Sequence, residues 1–497
     1  MKLRSVLDRP ANISPAACRL EFYFDDAKEL PVKHGFSGKS GERLLVNGAT
    51  QKMLIGLGSR TKFDRDALRK AAAEASQDAR TRGLRRIAFV LADWPTADAT
   101  AAAEVVAESA RLAQYRYSLA SQDTESGPID TLTVVCRSAT QHKLLSEALV
   151  HISHVADGVD LARDLSNLPG NLGSPRTVAA AARKLSGQGV RVRILDRAAC
   201  AKIGMGAFLS VAQGSRQPPA FVVLEYHPAR KTNRSLRPSM ASRDTPPVHG
   251  GRKPLVLVGK GVTFDAGGIS LKPAEKMEEM KHDKSGAAAV IGIFAAARKI
   301  KPGIPLIGLV PLTENLPGGN ASRPGDVVRS LSGKTIEIKN TDAEGRLILA
   351  DALNYAGRFH PEAIIDMATL TGACSIALGD VYAAILSNND ALARSLVDAG
   401  ESCGERLWRL PMHDGYERLI KSAVADVQNI PEGRLAGTII GGMFLKKFLA
   451  DERTPWAHID IAATAWDVKG RDGRPAGSTG IGVRLFYEFL KLRGDLS

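Results

Sequence analysis

Five short apolar runs between residues 190 and 367 constrain the fold more than any other feature of the sequence. Each is rich in branched, apolar side chains, and the runs are Val190–Leu195, Phe221–Tyr226, Leu255–Val258, Pro305–Val310 and Ala363–Met367. Strands that are apolar on both faces are typical of sheets covered by other elements on both sides. Helical patterns separate several of the runs, so the sequence predicts an α/β domain built around a central sheet.

The preceding part of the chain also alternates between strand and helix patterns. Two apolar runs, Arg86–Ala92 and Ile129–Cys136, predict buried strands because a polar turn follows each of them. Two segments rich in Ala, Glu and Arg, Asp66–Arg80 and Ala99–Leu112, predict surface helices. This part of the chain is therefore also predicted to have an α/β architecture.

A long helical pattern, Gln141–Leu165, connects the two parts and ends before Pro169 and Gly170, which forbid its continuation. The length of 497 residues exceeds what one ordinary core accommodates. We therefore predict two domains, a smaller N-terminal α/β domain at residues 1–155 and a larger C-terminal domain at residues 156–497.

Residues 227–254 differ in composition from their surroundings. They contain seven Lys or Arg, one Asp and several Pro, Ser and Gly. This composition predicts an exposed loop inserted between two strands. Two interpretations stay open: a tolerated insertion, or a binding segment for an acidic partner.

The overall composition excludes several classes of protein. Hydrophobic residues make up 44% and charged residues 24%, as in folded globular chains. No apolar run is long enough to cross a membrane, and the N-terminus lacks the apolar stretch of a secretory signal. The five cysteines are scattered without CxxC spacing, which indicates a reducing compartment and no thiolate zinc site. The sequence thus predicts a cytoplasmic protein without a membrane partner.

The formal charge of +14 has two interpretations. A positive field attracts nucleic acid, which makes nucleic acid a candidate partner. Solvated lysines and arginines give the same net charge without any such partner. Charge alone does not separate the two.

The first segment that carries chemistry, Val258–Lys272, directly follows a predicted strand. It places Lys260, Asp265 and Lys272 in a glycine-rich stretch. Ligand groups collect at the carboxyl ends of strands, and glycines permit close backbone approach to a small ligand. The spacing matches neither the Walker pattern nor the dinucleotide fingerprint, so a phosphate loop is discounted.

Two further segments open predicted helices. In Met280–Val290, Asp283 precedes an Ala-rich helix that runs to about Lys299, and a simple N-cap would also account for it. In Asn340–Leu347, Thr341 and Glu344 have the spacing of a capping box. A capping box does not account for Asp342 or for Arg346.

Together the three segments supply carboxylates suited to Mg, Mn or Zn, and one bridging carboxylate can hold two such ions. The sequence contains neither an HExxH motif nor a GxSxG motif, so a zincin site and a serine-hydrolase site are both disfavoured. The residues therefore favour a site for divalent cations.

These segments resemble the cytosol aminopeptidase family, to which leucyl aminopeptidases belong. The octapeptide NTDAEGRL at 340–347 reads as the family signature, and VGKGVTFDAGG and MKHD precede it in the family's order. Three later segments are similar too, Ala368–Cys374, Trp456–Ala462 and Gly480–Phe486. The resemblance covers roughly residues 155 to 490.

The resemblance implies a catalytic domain with a mixed sheet between helices, a homohexamer, and peptides as substrates. It implies two divalent cations per subunit, with Mn or Zn expected. The tighter site would consist of Lys260, Asp265, Asp283 and Glu344, and the exchangeable site of Asp265, Asp342 and Glu344. Asp265 and Glu344 would bridge the two sites.

The chemistry of these residue types agrees with such roles. Lysine binds a metal only as a neutral amine, and two adjacent cations would make Lys260 lose its proton. A water between the ions would have a lowered pKa and become the nucleophile. Lys272 would stabilise the tetrahedral oxyanion. By resemblance, Arg346 would hold a bicarbonate that acts as general base.

The resemblance also extends to the substrate pocket. The positions that resemble its lining are Met280, Thr369, Leu370, Gly372, Ala462 and Ala465. Their apolar character implies a preference for leucine-like N-terminal residues, although each would also suit a plain core position.

The chain departs from the family pattern at Lys284 and Ser285, beside Asp283. We expect the flexible stem of Lys284 to carry its charge to solvent. The leading hypothesis is a metal-dependent aminopeptidase that cleaves the N-terminal peptide bond. The alternatives are a DNA-binding role and an inactive scaffold, both on the same fold.

Overall fold

The computed structural model describes residues 1–8, 12–14, 16–27, 30–90, 99–119, 127–228, 252–433, 435–470 and 472–496. The chain divides into two compact units. Unit 1 comprises Met1–Ala156 and Asp467–Gly477, and unit 2 comprises Asp157–Trp466 and Ser478–Ser497. The segment 467–477 thus belongs to unit 1, whereas the sequence division at residue 155 assigned it to the C-terminal domain.

Unit 1 is built on a six-stranded sheet with the order β1-β6-β5-β2-β4-β3. Its strands are β1 (Lys2–Leu7), β2 (Cys18–Phe24), β3 (Arg43–Val46), β4 (Lys52–Gly58), β5 (Arg86–Val90) and β6 (Thr131–Cys136). Its helices are α1 (Arg65–Thr81), α2 (Ala99–Leu112) and α3 (Ala139–Asn167), the last of which continues into unit 2. All strand pairs are parallel except β3 with β4 at the edge. Leu20, Phe89 and Leu132 are fully buried between this sheet and its helices.

Unit 2 contains the remaining elements. Its strands are β7 (Val190–Leu195), β8 (Ala220–Tyr226), β9 (Leu255–Gly259), β10 (Gly261–Asp265), β11 (Leu306–Asn315), β12 (Val327–Arg329), β13 (Thr335–Glu337), β14 (Ala363–Ala368), β15 (Ala383–Ser387), β16 (Leu407–Arg409), β17 (Val427–Gln428) and β18 (Trp456–Asp460). Its helices are α4 (Pro175–Arg183), α5 (Arg197–Ile203), α6 (Gly206–Val211), α7 (Ser285–Ile300), α8 (Gly345–Ala356), α9 (Gly372–Leu378), α10 (Asp390–Cys403), α11 (Gly437–Lys446) and α12 (Val483–Leu492). Two short strands, β19 (Trp466–Asp467) and β20 (Gly477–Ser478), lie where the chain passes between the units.

The large sheet of unit 2 is mixed, with the order β16-β15-β18-β14-β9-β11-β8-β7, and β10 pairs with β11. The central strands β18, β14, β9 and β11 are mutually parallel, so their carboxyl ends meet at one edge. A separate three-stranded sheet has the order β12-β13-β17. The predicted α/β class with two domains and a mixed central sheet is confirmed.

Helix α7 shows how the sequence packs against the central strands. It is rich in alanine and glycine, and nearly all of its side chains are buried. A Cβ atom at Gly286 would collide with the carbonyl of Met367 in β14. Small side chains therefore let this helix lie directly on the sheet and start close to the strand ends.

The predicted basic loop can be placed only in part. Most of the basic loop 227–254 lies outside the described residues, which resume at residue 252.

Among the described residues, no helix combines the length and the apolar character needed to cross a bilayer.

Candidate metal centre

The candidate ligands lie where three separate segments meet at the carboxyl ends of the central strands. Lys260 directly follows β9, and Asp265 is the last residue of β10. Asp283 lies in the 3-10 turn Met277–Lys284 that leads into α7. Asp342 and Glu344 precede α8, so its first turn opens onto the same place.

Lys260 is buried at the middle of this cluster. Its Nζ atom lies 2.8 Å from Oδ1 of Asp283 and 2.8 Å from Oε1 of Glu344, and it donates to the carbonyl of Thr369 at 2.8 Å. Burial opposes the charged form of Lys260. The two carboxylates outweigh this effect and hold the pKa of the ammonium above its ordinary value.

Lys272 connects the other two carboxylates. Its Nζ atom lies 2.9 Å from Oδ2 of Asp265 and 2.5 Å from Oδ1 of Asp342. Burial and the neighbouring Asp265 raise the pKa of Asp342 to about 6, against the opposing effect of Lys272. The side chain of Lys272 is 22% exposed, whereas that of Lys260 is 3% exposed, so only Lys272 is open to an incoming molecule.

The donor set fits divalent cations. Oxygen atoms of Asp265, Asp342 and Glu344 lie within 4.8 Å of one another. Within the part of the chain that the structure describes, Oδ2 of buried Asp283 has no hydrogen-bond partner. Burial raises the pKa of Asp283, and a cation nearby would restore its charged form. Hard divalent ions prefer such carboxylate oxygens.

Gly345 makes the close approach of Lys260 to this cluster feasible. A Cβ atom at position 345 would lie 2.8 Å from Nζ of Lys260 and 2.7 Å from its Cε atom. Any larger residue at this position of the octapeptide would therefore displace the lysine from the carboxylates.

Asn315, at the end of β11, was not identified from the sequence. It is buried, and its Nδ2 atom donates to Oδ1 of Asp265 at 2.8 Å and to the carbonyl of Thr341 at 3.0 Å. The amide therefore orients one candidate bridging carboxylate. A polar residue at the end of an apolar strand was the available sequence signal.

Two helix-capping interpretations of the sequence are wrong, the N-cap at Asp283 and the capping box of Thr341 and Glu344. The N-cap residue of α7 is Lys284, so Asp283 does not cap that helix. The N-cap residue of α8 is Glu344, without a side-chain cap. Thr341 instead donates to the carbonyl of Gly267 and accepts from the backbone N–H of Ser270.

Arg346 lies behind the carboxylates in the first turn of α8. It is buried, and its Nη1 atom donates to the carbonyl of Asn429 at 2.6 Å. Among the described residues, its Nε atom has no hydrogen-bond partner. Burial lowers the pKa of Arg346 to about 10, so the guanidinium stays charged at neutral pH.

The candidate pocket residues lie on three segments. Thr369 donates to Oδ1 of Asp283 at 2.6 Å and thus belongs to the ligand cluster. The backbone N–H groups of Leu370 and Ala462 both donate to Oδ1 of fully buried Asp460, each at 3.1 Å. One carboxylate therefore holds two of the candidate pocket segments together.

The remaining candidates differ in exposure. Gly372, at the start of α9, is exposed, Met280 is partly exposed and Ala465 is fully buried. The segment after Met280 lies beside the one after Ala465, because the ring of His282 stacks on Trp466 at 5.3 Å.

The prediction that the stem of Lys284 carries its charge to solvent is wrong. Its side chain is fully buried and does not reach solvent. Its Nζ atom donates to the carbonyls of Leu168 at 2.9 Å and Lys281 at 2.6 Å. These carbonyls offset the loss of hydration, and burial lowers the pKa of Lys284 to about 7.

Comparison with known proteins agrees with this geometry. The family model described as the cytosol aminopeptidase family, catalytic domain, matches residues 160–487. The chain belongs to the cytosol aminopeptidase family. The family's N-terminal domain model matches residues 20–120.

Curated relatives carry the same family name. A "Probable cytosol aminopeptidase" of Syntrophotalea carbinolica is 47% identical over 466 residues, which are 92% of this chain and 89% of the relative. One of Geobacter sulfurreducens is 43% identical over 447 residues, covering 89% of this chain and 85% of the relative.

Solved structures of the family share the fold. The bottromycin maturation enzyme BotP in complex with Mn aligns with a TM-score of 0.83 at 33% identity, covering 96% of this chain and 99% of that one. A mutant of tomato leucine aminopeptidase aligns with a TM-score of 0.83 at 31% identity, covering 99% and 96%. This cytosol aminopeptidase family member is therefore a metal-dependent aminopeptidase, a hydrolase that acts on peptides. The DNA-binding and scaffold alternatives have no support from these comparisons.

Proposed function

We propose that this enzyme removes N-terminal residues from peptides with two divalent cations held by the carboxylate cluster. Lys260, Asp265, Asp283 and Glu344 would form the tighter site, and Asp265, Asp342 and Glu344 the exchangeable one. Two observations carry this proposal: Lys260 contacts both Asp283 and Glu344, and oxygen atoms of Asp265, Asp342 and Glu344 lie within 4.8 Å of one another.

When bound, the two cations would polarise the scissile carbonyl and lower the pKa of the attacking water. The protein's part is to keep the ligands charged and ordered. Asn315 and the backbone N–H of Gly267 both donate to Oδ1 of Asp265, which leaves Oδ2 of that residue to the site. Thr369 fixes Asp283 in the same way, through Oδ1.

Lys272 would stabilise the oxyanion of the tetrahedral state. Burial opposes its charged form, but Asp265, Glu344 and Asp342 hold the pKa of its ammonium above the ordinary value. The ammonium is therefore charged at neutral pH and partly exposed, as a donor to developing negative charge must be.

Arg346 is the proposed holder of a bicarbonate that would serve as general base. Its buried guanidinium has one unpartnered Nε–H among the described residues, which supports a role in binding an anion. The carbonyl of Asn429 fixes its other end.

The substrate range proposed here is leucine-like N-terminal residues. Leu370, with Ala462 held beside it through Asp460, supports an apolar lining, together with Met280, Thr369, Gly372 and Ala465. Manganese is the first metal to test, because a related structure contains Mn, and zinc is the second. By family resemblance we propose a homohexamer, and the relatives' name supports a cytoplasmic location.

The direct test is Glu344→Ala, assayed with leucine p-nitroanilide and by elemental analysis. Because Glu344 would bridge both ions, the variant should lose bound metal and hydrolysis together. Asp326→Ala is a suitable control, because Asp326 lies on the surface and pairs with Arg323. Normal turnover of Glu344→Ala would refute the ligand assignment.

A further inference from the structure

Asn429 lies outside every motif described above, yet it is fully buried beside the octapeptide. It follows β17 directly, and β17 pairs in parallel with β13, with Glu337 opposite Gln428. The backbone N–H of Asn429 continues this ladder by donating to the carbonyl of Glu337 at 3.0 Å. The three-stranded sheet therefore delivers Asn429 to the point where the chain enters the octapeptide.

Every hydrogen-bonding position of the Asn429 side-chain amide is occupied. Its Oδ1 atom accepts from the backbone N–H groups of Lys339 at 2.8 Å and Asn340 at 3.3 Å. Its Nδ2 atom donates to the carbonyls of Asn340 at 2.7 Å and Ala343 at 3.4 Å. An amide has two acceptor and two donor positions, and all four are occupied by one short segment of backbone.

This segment carries Asp342. The backbone N–H of Asp342 donates to Oδ1 of Asn340 at 2.7 Å, and Asn340 is held by Asn429 through both its N–H and its carbonyl. The contacts of Thr341 tie the segment to the loop around Gly267 and Ser270, which is itself irregular. Asn315 connects Thr341 to β11, and Asn429 connects the residues on both sides of Asp342 to the three-stranded sheet.

We propose that Asn429 is a positioning residue that sets the affinity of the exchangeable metal site by fixing Asp342. This inference rests on the proposed two-metal function. Asp342 is the candidate ligand that the exchangeable site does not share with the tighter one, and its side chain is 32% exposed, far more than those of Asp265 and Glu344. Asn429 bonds to the backbone on both sides of Asp342, at Asn340 and Ala343, whereas Asp265 lies at a strand end and Glu344 at a helix start.

The test is Asn429→Asp, which has the same shape but places a carboxylate oxygen against the carbonyls of Asn340 and Ala343. Mn(II) titration followed by electron paramagnetic resonance measures both dissociation constants. We expect the second Mn(II) to bind at least about tenfold more weakly and the first to bind as in the wild type. Excess Mn(II) should restore kcat, which a general loss of folding would not permit.

Asn388→Asp is the control, at an asparagine that is exposed but makes a similar set of hydrogen bonds. Asn388 also uses its amide to bridge backbone groups, donating to the carbonyls of Glu452 and Thr454 at 2.9 Å and accepting from the N–H of Trp456 at 2.7 Å. Those contacts lie at the start of β18, at the opposite end of that strand from Asp460. This variant should lower Tm and leave both Mn(II) constants unchanged.

A second variant keeps the test usable if Asn429→Asp does not fold. Asn340→Ala removes only the acceptor of the Asp342 N–H and should also weaken the second site. Wild-type affinity for the second Mn(II) in a folded Asn429→Asp would overturn the inference and leave the proposed function intact. Equal weakening in Asn388→Asp would also overturn it. Failure of the wild type to bind two Mn(II) ions would instead overturn the proposed function.

Discussion

The Nζ atom of Lys260 lies 2.8 Å from Oε1 of Glu344, so a side chain that follows β9 meets one that precedes α8. Both groups are buried, and without a cation the lysine supplies the positive charge that the carboxylates need. A lysine that also serves as a ligand must give up its proton first. Proton and metal therefore compete at the same nitrogen.

This competition predicts a pH-dependent metal affinity. The carboxylates raise the pKa of Lys260 above its ordinary value, so at neutral pH the metal-free site is protonated and binding must release the proton. Mn(II) affinity should rise with pH, by up to about tenfold per unit for each proton released. Calorimetric titration in buffers of different ionisation enthalpy measures the number of protons. A Mn(II) affinity independent of pH between 6.5 and 8.5 (roughly the range in which proteins of this kind stay folded) would exclude Lys260 as a ligand.

Replacing Lys272 should separate catalysis from metal binding. We expect Lys272→Met to retain its metals and to lose kcat by roughly 10²–10³-fold, as for the removal of an oxyanion donor. Lys276→Met is the control, because Lys276 is an exposed lysine in the same connection. Initial rates with leucine p-nitroanilide and elemental analysis decide the outcome, and an unchanged kcat would remove Lys272 from the chemistry.

Blocking the substrate's amine tests why the enzyme cleaves only at the N-terminus. We expect the substrate's free α-amine to bind the exchangeable metal as a neutral amine, so N-acetyl-leucine p-nitroanilide should not be cleaved at a measurable rate. The unmodified compound provides the matched comparison at equal concentration. Equal cleavage of both compounds would show that the amine is not an anchor.

Replacing Asp460 should weaken substrate binding and leave metal binding unchanged. Its Oδ2 atom accepts from Thr371 Oγ1 at 2.6 Å, and its Oδ1 atom holds Leu370 and Ala462. We expect Asp460→Asn to raise KM for leucine p-nitroanilide by about tenfold, since one hydrogen bond to a charged acceptor is lost. Metal content should stay at the wild-type value.

The control for Asp460 is Asp351→Asn in the middle of α8. Asp351 is also fully buried and accepts from the backbone N–H groups of Phe208 and Leu331. This variant should lower Tm and leave KM unchanged. A KM that rises equally in both variants would assign the effect of Asp460 to general stability.

Elements with a strong local pattern could be predicted from the sequence. The bounds of α2 and β7 agree with the prediction, because an Ala-rich helix and a short run of β-branched residues each have a clear local pattern. Strands β1 to β4 were not predicted. Charged residues interrupt the apolar pattern of β1 and β2, and β3 is only four residues long. Strand β11 runs five residues beyond its predicted end, to Asn315. Its polar side chains Glu314 and Asn315 have hydrogen-bond partners on other segments, Ser215 and Asp265.

The same distinction between local patterns and long-range contacts applies to the residues of the site. The candidate ligands were found because they lie in three short segments, each with a specific local sequence. Asn315, Asn429 and Asp460 were missed because their contacts join residues far apart in sequence, which no local pattern reports. The error at Lys284 has the same origin: a long charged side chain ordinarily reaches solvent, and only the fold supplies the carbonyls that retain this one.

The most direct test of the central claim is an anomalous-difference map from crystals of the Mn(II)-loaded enzyme. We expect two peaks, one among Lys260, Asp265, Asp283 and Glu344, and one among Asp265, Asp342 and Glu344. Bridging by Asp265 and Glu344 should be visible in the same map. A fully loaded, active crystal whose manganese lies elsewhere, with the lysine–carboxylate pairs of the cluster intact, would contradict the account.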